Sequence, residues 1–157
     1  MKTINNKIDD IIRHIEHVRD NCMLLGERLI QQGKKDMGRL LIANGFVHDN
    51  SKFYGVEWDY LNSDTEDPEL LRIAVSQHNR TNKHHPEYWG GIDLMPSLYV
   101  AEMVCDWKAR SGEFGTSLQD WIEGGAATKF DYTKDSEVYR RIIFYTGMLC
   151  DKPFKSI

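Results

Sequence analysis

His48 and Asp49 stand side by side in the segment GFVHDNSKF (residues 45–53), flanked by apolar residues and followed by Lys52. An imidazole and a carboxylate set against apolar sequence can form a polar helix end, or both can reach for one cation. Four further positions bear on that choice. On the apolar stripe of the first helical segment, at about 100° per residue, His14 lies at the edge of the buried face. His17 falls farther round, toward solvent, and is the rival for any role at that end. His78 is in phase with Leu71, Ala74 and Val75 and should point inward. Asp106 follows YVAEMVC on a strongly apolar run, in phase with Tyr99 and Met103. A buried carboxylate is costly unless it is paired or bound to a cation.

An isolated inward histidine is more often a hydrogen-bonded core residue than a ligand. Taken together, His14, His48, Asp49, His78 and Asp106 come from four helical segments and converge if those segments share one core. Several imidazoles and two carboxylates inside a helical bundle make a transition-metal ligand set. Separate buried pairs would require several independent polar burials, whereas one metal site accounts for all five. His84 and His85, just before Pro86, read either as a solvated pair or as further ligands or phosphate contacts. Glu57 is a solvated acid or a proton relay. Lys52 is a surface cation or a group that neutralises a phosphate above the metal.

The elements that must position these groups read as helices. The first spans about Ile4 to Gln32, with Ile8, Ile11, Ile12, Ile15, Val18, Cys22, Leu25 and Leu29 at helical spacing and Gly33 as its stop. The second starts near Asp36 as N-cap and carries Met37, Leu40, Leu41, Ala43 and Phe46 toward His48. Asp67 caps a third, with Pro68 at its first position. Residues 83–96 read as a loop marked by Pro86, Gly90, Gly91 and Pro96. A fourth helix follows and closes near Gly112, then a turn around Trp121 and a last helix from Ser136 to Cys150. No segment alternates with period two. The expectation is an all-α bundle of five or six helices, one domain over residues 1–157.

Composition narrows the function classes. A chain of 157 residues with 41% apolar residues can bury one sizeable core. Nothing approaches the ~18 continuous apolar residues of a membrane span, and the N-terminus lacks the apolar core and cleavage site of a signal peptide. Cys22, Cys105 and Cys150 are odd in number and widely spaced, as expected of reduced thiols in a cytoplasmic protein. A net charge of −4 without a basic block argues against an extensive nucleic-acid surface. A small anionic ligand stays open, because a metal can supply positive charge locally.

The order His14, then His48-Asp49, then Asp106 resembles the HD-domain superfamily of metal-dependent phosphohydrolases. The strings HDNSKF, HNRTNKHHPEYW and YVAEMVCDW are similar to an uncharacterised HD-like family common in bacteriophages and bacteria. The resemblance is strongest over residues 14–115. It implies that His14, His48, Asp49 and Asp106 hold a first divalent ion, with Asp49 able to bridge to a second. His78 and one or both of His84 and His85 would serve that second ion. Mn, Fe, Co, Ni, Mg and Zn are all open as the metal. The implied activity is hydrolysis of a phosphate ester, in a nucleotide or similar small molecule. Lys52, Glu57 and Asp49 are the catalytic candidates: Lys52 against developing charge, Glu57 or a spare histidine as relay for the leaving-group proton. Arg80, Tyr88 and Trp89 can stack on a base or ribose or simply pack. The implied location is the bacterial cytoplasm, or the host's for a phage protein, with self-association open. Two other readings fit the same ligands: a di-iron oxygenase, and a silent protein that binds metal or nucleotide without turnover.

Overall fold

The apolar repeat from Ile11 to Leu29 produces the longest element. In the computed structural model, which describes residues 4–150, α1 (Ile4–Gln31) buries Ile11, Ile15, Val18, Cys22, Leu25 and Leu29. Ile12, on the shoulder of the stripe, is exposed. Gly33 ends the helix in the left-handed conformation (φ 86°). Its amide donates to Ile30 O and that of Lys34 to Leu29 O, the paired bonds of a Schellman motif.

α2 (Lys35–Val47) begins before Asp36, so Asp36 is not the cap. Lys34 holds that position without a side-chain bond, and Asp36 sits in the first turn, where its charge suits the helix dipole. The inward face also differs from the expected one. Gly38, Leu41 and Gly45 are buried, whereas Leu40, Ala43 and Phe46 are exposed. Close backbone approach explains this. A Cβ on Gly26 of α1 would lie 2.7 Å from Gly38 O, and one on Gly45 would lie 2.7 Å from Cys22 Cβ. The two helices cross on their glycines, which turns the larger side chains outward.

After a 3₁₀ turn at Asn50–Phe53 comes a short helix, α3 (Gly55–Leu61), in a stretch not expected to be helical. α4 (Pro68–Thr81) is capped as expected, with Asp67 Oδ1 accepting from Glu69 N at 2.9 Å and Leu70 N at 3.3 Å. Of its apolar phase only Ala74 and His78 are buried, because α4 lies at the edge of the bundle and leaves Leu71 and Val75 exposed. The His-His segment is more ordered than a loop. It contains α5 (Pro86–Trp89) and a 3₁₀ turn at Ile92–Leu94.

α6 (Ser97–Phe114) is the central element. Every residue from Val100 to Asp106 is buried, so the helix has protein on all sides. It runs past Gly112 to a left-handed Gly115. α7 (Leu118–Asp120), a π-turn at Trp121–Gly125 and α8 (Ala126–Phe130) lead to α9 (Glu137–Cys150). One apolar core joins α1, α2, α6 and α9 through Val18, Leu25, Leu41, Val104 and Ile142. Five helices of 13 or more residues thus frame an all-α bundle, with short helices between them and no strand among the described residues. Cys22 and Cys105 are free and buried. Among the described residues no helix is long and apolar enough to cross a membrane.

Candidate metal centre

The end of α2 creates the middle of the site. His48 leaves the helix with extended ψ (133°), and Asp49 takes the left-handed conformation (φ 56°). Aspartate tolerates that region better than most side chains, and such backbone strain concentrates at functional sites. Lys52 N then bonds Asp49 O at 2.9 Å and starts the 3₁₀ turn. The reversal leaves both side chains inside the protein, His48 at 2% and Asp49 at 3% exposure.

Around this pair α1 supplies His14, α4 His78, the segment before α5 His84, and α6 Asp106, all buried. Asp49 Oδ1 lies 3.2 Å from His78 Nε2, 3.3 Å from His84 Nε2 and 3.4 Å from His48 Nε2. Asp106 Oδ1 is 2.9 Å from His14 Nε2, and its Oδ2 is 3.6 Å from His84 Nε2. The rings of His84 and His85 are 4.3 Å apart, and that of His85 is 4.8 Å from His78. Among the described residues three overlapping groups result, each with its ligand atoms within 4.8 Å of one another: His14, His48 and Asp49; His48, His84 and Asp106; and Asp49, His78, His84 and His85. Asp49 belongs to two of them. His17, the alternative at the first position, is 47% exposed and stands outside, 3.7 Å from Glu113.

The outer side of each ring is as informative as the inner. His14 Nδ1 donates to Glu113 Oε2 at 2.9 Å. His48 Nδ1 donates to Glu102 Oε1 at 3.0 Å, and His84 Nδ1 lies 3.4 Å from the same oxygen. His78 Nδ1 donates to Glu57 Oε1 at 2.5 Å. An ionised carboxylate only accepts, so Nδ1 carries the hydrogen and a neutral ring turns its Nε2 lone pair inward. Metal-bound histidines are oriented in this way by a carboxylate behind the ring. Inside, His48 Nε2, His84 Nε2, His85 Nε2 and Asp49 Oδ1 are buried and meet no hydrogen-bond partner of good geometry among the described residues. Orphaned polar atoms are expensive, and four of them gathered in one place fit a divalent cation bound by N and O donors.

Charge follows this arrangement. Burial disfavours the Asp49 carboxylate, but His48, His78 and His84 outweigh it and hold its pKa well below the usual range. Glu102 is likewise held down to about 2 by His48 and His84 against the effect of burial. Burial also opposes a charge on His84, yet Asp49 and Glu102 raise its pKa to about 10. His85 goes the other way, to about 3, through burial and the neighbouring His84 charge. Without a metal, His84 therefore carries a proton that a cation would displace.

Lys52 and Glu57 are adjacent, with Lys52 Nζ 3.7 Å from Glu57 Oε1. Glu57 is 4% exposed, so its reading as a solvated acid does not hold. Trp89 donates to Lys83 O at 2.8 Å and packs 5.5 Å from Tyr99. Arg80 lines a separate cleft of about 950 Å³ on the outer side of α4, whose walls include none of the clustered imidazoles. Sequence reasoning missed Glu102 and Glu113. Glu102 had a signal, being an acid within the apolar run of α6 one turn before Asp106. Glu113 had a weaker one, two turns after Asp106 on the same face.

No curated protein and no solved structure matches the chain. A family described only as a family of unknown function, DUF5662, matches residues 3–143, and the chain belongs to that family.

Proposed function

We propose that the protein is a metal-dependent phosphohydrolase acting on a nucleotide or a related small phosphate ester. One observation carries the reading: His14, His48 and His78 are anchored through Nδ1 by outer carboxylates, and the partnerless Nε2 atoms of His48, His84 and His85 gather in the same cluster as Asp49 and Asp106. The resemblance of the ordered His14, His48-Asp49 and Asp106 set to the HD-domain superfamily supports phosphoryl chemistry in particular. His14, His48, Asp49 and Asp106 would hold one ion, and Asp49, His78, His84 and His85 a second. A divalent ion bound there supplies Lewis acidity toward a phosphoryl oxygen and lowers the pKa of water.

The chain's own groups do the rest. Glu113, Glu102 and Glu57 fix the rings and keep the lone pairs inward. Lys52, 19% exposed, brings a cation to the edge of the cluster, where it can meet negative charge developing on phosphoryl oxygens. Glu57, engaged by His78 Nδ1, serves in this reading as a positioning residue.

Elemental analysis of the purified protein, then incubation of a nucleotide panel with Mn²⁺, Mg²⁺, Co²⁺ or Ni²⁺, tests the proposal. One or two ions per chain and released phosphate are expected. Asp49→Asn, which keeps a residue suited to the left-handed backbone, should lose metal and turnover but stay helical by circular dichroism. A protein that takes up no divalent ion after reconstitution sinks the metal reading. Nucleotide bound intact with every metal, or an iron pair that consumes O₂, sinks hydrolysis.

A further inference from the structure

α1 carries a second stripe besides the buried one. Ile12, Glu16, Arg19 and Met23 recur at intervals of four, three and four residues, so they share one face of the helix. Ile12 and Glu16 are exposed, and Arg19 and Met23 are partly so. Along the helix the stripe runs apolar, acidic, basic, apolar. A second α1 laid antiparallel, with a two-fold axis midway between Glu16 and Arg19, therefore sets Glu16 against Arg19 twice and Ile12 against Met23 twice.

Neither charge is satisfied within the chain. Among the described residues Glu16 and Arg19 form no ion pair, with each other or with any other group. Nε of Arg19 is buried without a hydrogen-bond partner, and its guanidinium lies 5.2 Å from the Phe46 ring centroid. Apolar side chains flank the stripe. Phe46 and Val47, turned outward by the glycine crossing of α1 and α2, and Phe53 in the following 3₁₀ turn are between 41 and 62% exposed. With Ile12, Glu16 and Arg19 they line one groove of about 250 Å³. That volume is below the usual range for small-molecule sites but takes an apolar side chain. A contiguous exposed apolar patch rimmed by charge marks a contact surface. A two-fold interface needs one patch to be complementary to itself. This one sets exposed apolar side chains beside a recess of their own size, and an unpaired acid beside an unpaired base.

We propose that this face binds a second copy of the chain, forming a two-fold dimer through antiparallel α1 helices. The groove also reaches His48 and Asn50, so the pairing covers the outer side of the turn that presents Asp49. The dimer does not rest on the phosphohydrolase reading, because its pairing side chains are not among the proposed ligands.

Sedimentation equilibrium from about 1 to 200 μM, a range that covers weak to firm association, tests it. A species of twice the chain mass is expected. Glu16→Arg and Arg19→Glu each place like charges across the axis and should raise the dimer dissociation constant roughly tenfold or more. The double variant Glu16→Arg/Arg19→Glu restores opposite charges and should recover most of that loss. Phe46→Ser should weaken the dimer by roughly tenfold as well. Circular dichroism checks that each variant stays helical, and metal uptake should be unchanged in all of them. A chain that is monomeric throughout this range overturns the proposal and leaves the face to a different partner. A dimer untouched by both single reversals and by Phe46→Ser, or a double variant no better than the single ones, overturns it too. A protein that takes up no metal but dimerises in this charge-dependent way leaves the dimer standing while the phosphohydrolase reading falls.

Discussion

Glu102 shows how much of the centre lies outside the ligands. A single oxygen, Oε1, faces Nδ1 of both His48 and His84, while Oε2 accepts from Asn44 Nδ2 at 3.1 Å. Glu102→Gln keeps the shape but replaces one oxygen with a donor and removes the charge. One imidazole or Asn44 must then lose its partner. Divalent-metal affinity should fall by roughly 10–100-fold, with the helical circular dichroism signal unchanged. Competition with a chelator of known affinity measures it, and an unaltered affinity would show that the outer carboxylate does not set the rings. Lys52→Ala separates charge from scaffold at the same scale. It should leave metal content intact and lower turnover by roughly 10²-fold, the size of losing one electrostatic stabiliser. Metal loss in that variant would assign Lys52 to the scaffold around Glu57 instead.

At the scale of the element, α2 is held to α1 by glycines. A methyl on Gly38 would meet Gly26 O and the Ile30 side chain, and two packed backbones have little room to give. Gly38→Ala should therefore destabilise by about 1–3 kcal/mol through overpacking, despite alanine's better helix propensity. Gly112, in α6, has nothing within 4 Å of the position its Cβ would take. Gly112→Ala should stabilise by roughly 0.5–1 kcal/mol. Urea denaturation reads both, and two changes of the same sign would rule out the close crossing as the cause. The same contrast shows what the sequence discloses. The phases of His14 and His78 on α1 and α4 placed them correctly inward, and His17 outward, because each helix has a buried side and a wet one. The Asp67 cap and Gly33 stop were legible because those residues act locally. The face of α2 was not, since backbone approach between glycines outweighed the apolar stripe. On α6 burial on all sides removes phase as a guide, so Asp106 was recognisable by its cost but the direction of Glu102 was not. α3 and α5 are too short for a periodic signal and owe their form to the surrounding packing.

For the whole molecule, the cluster links stability to pH differently with and without a cation. In the metal-free protein His84 is raised to about 10, and His14 and His78 are also raised, from an ordinary value near 6.5. A raised histidine contributes stability fully below its unfolded pKa, and that contribution is lost as pH climbs toward the folded value. His85, lowered to about 3, contributes fully above 6.5 and loses its share as pH falls toward 3. Asp49 and Glu102, both held low, add to the acid loss below pH ~4. The metal-free protein should therefore be most stable near pH ~6.5 and decline on both sides. Tyr132, Tyr139 and Tyr145 are pushed up by burial, so their ionisation lies beyond the alkaline limb considered. A bound cation replaces the protons on the inner nitrogens, which removes the cause of the alkaline decline and strengthens the acid one. Thermal denaturation from pH 5 to 9, in chelator and in excess Mn²⁺, should show the gap in Tm widening steadily above pH ~6.5. A metal-free Tm that stays flat from pH 6.5 to 9, or a gap that does not grow with pH, would mean that the imidazoles share no protons with Asp49 and Glu102. The centre would then be a set of independent buried pairs.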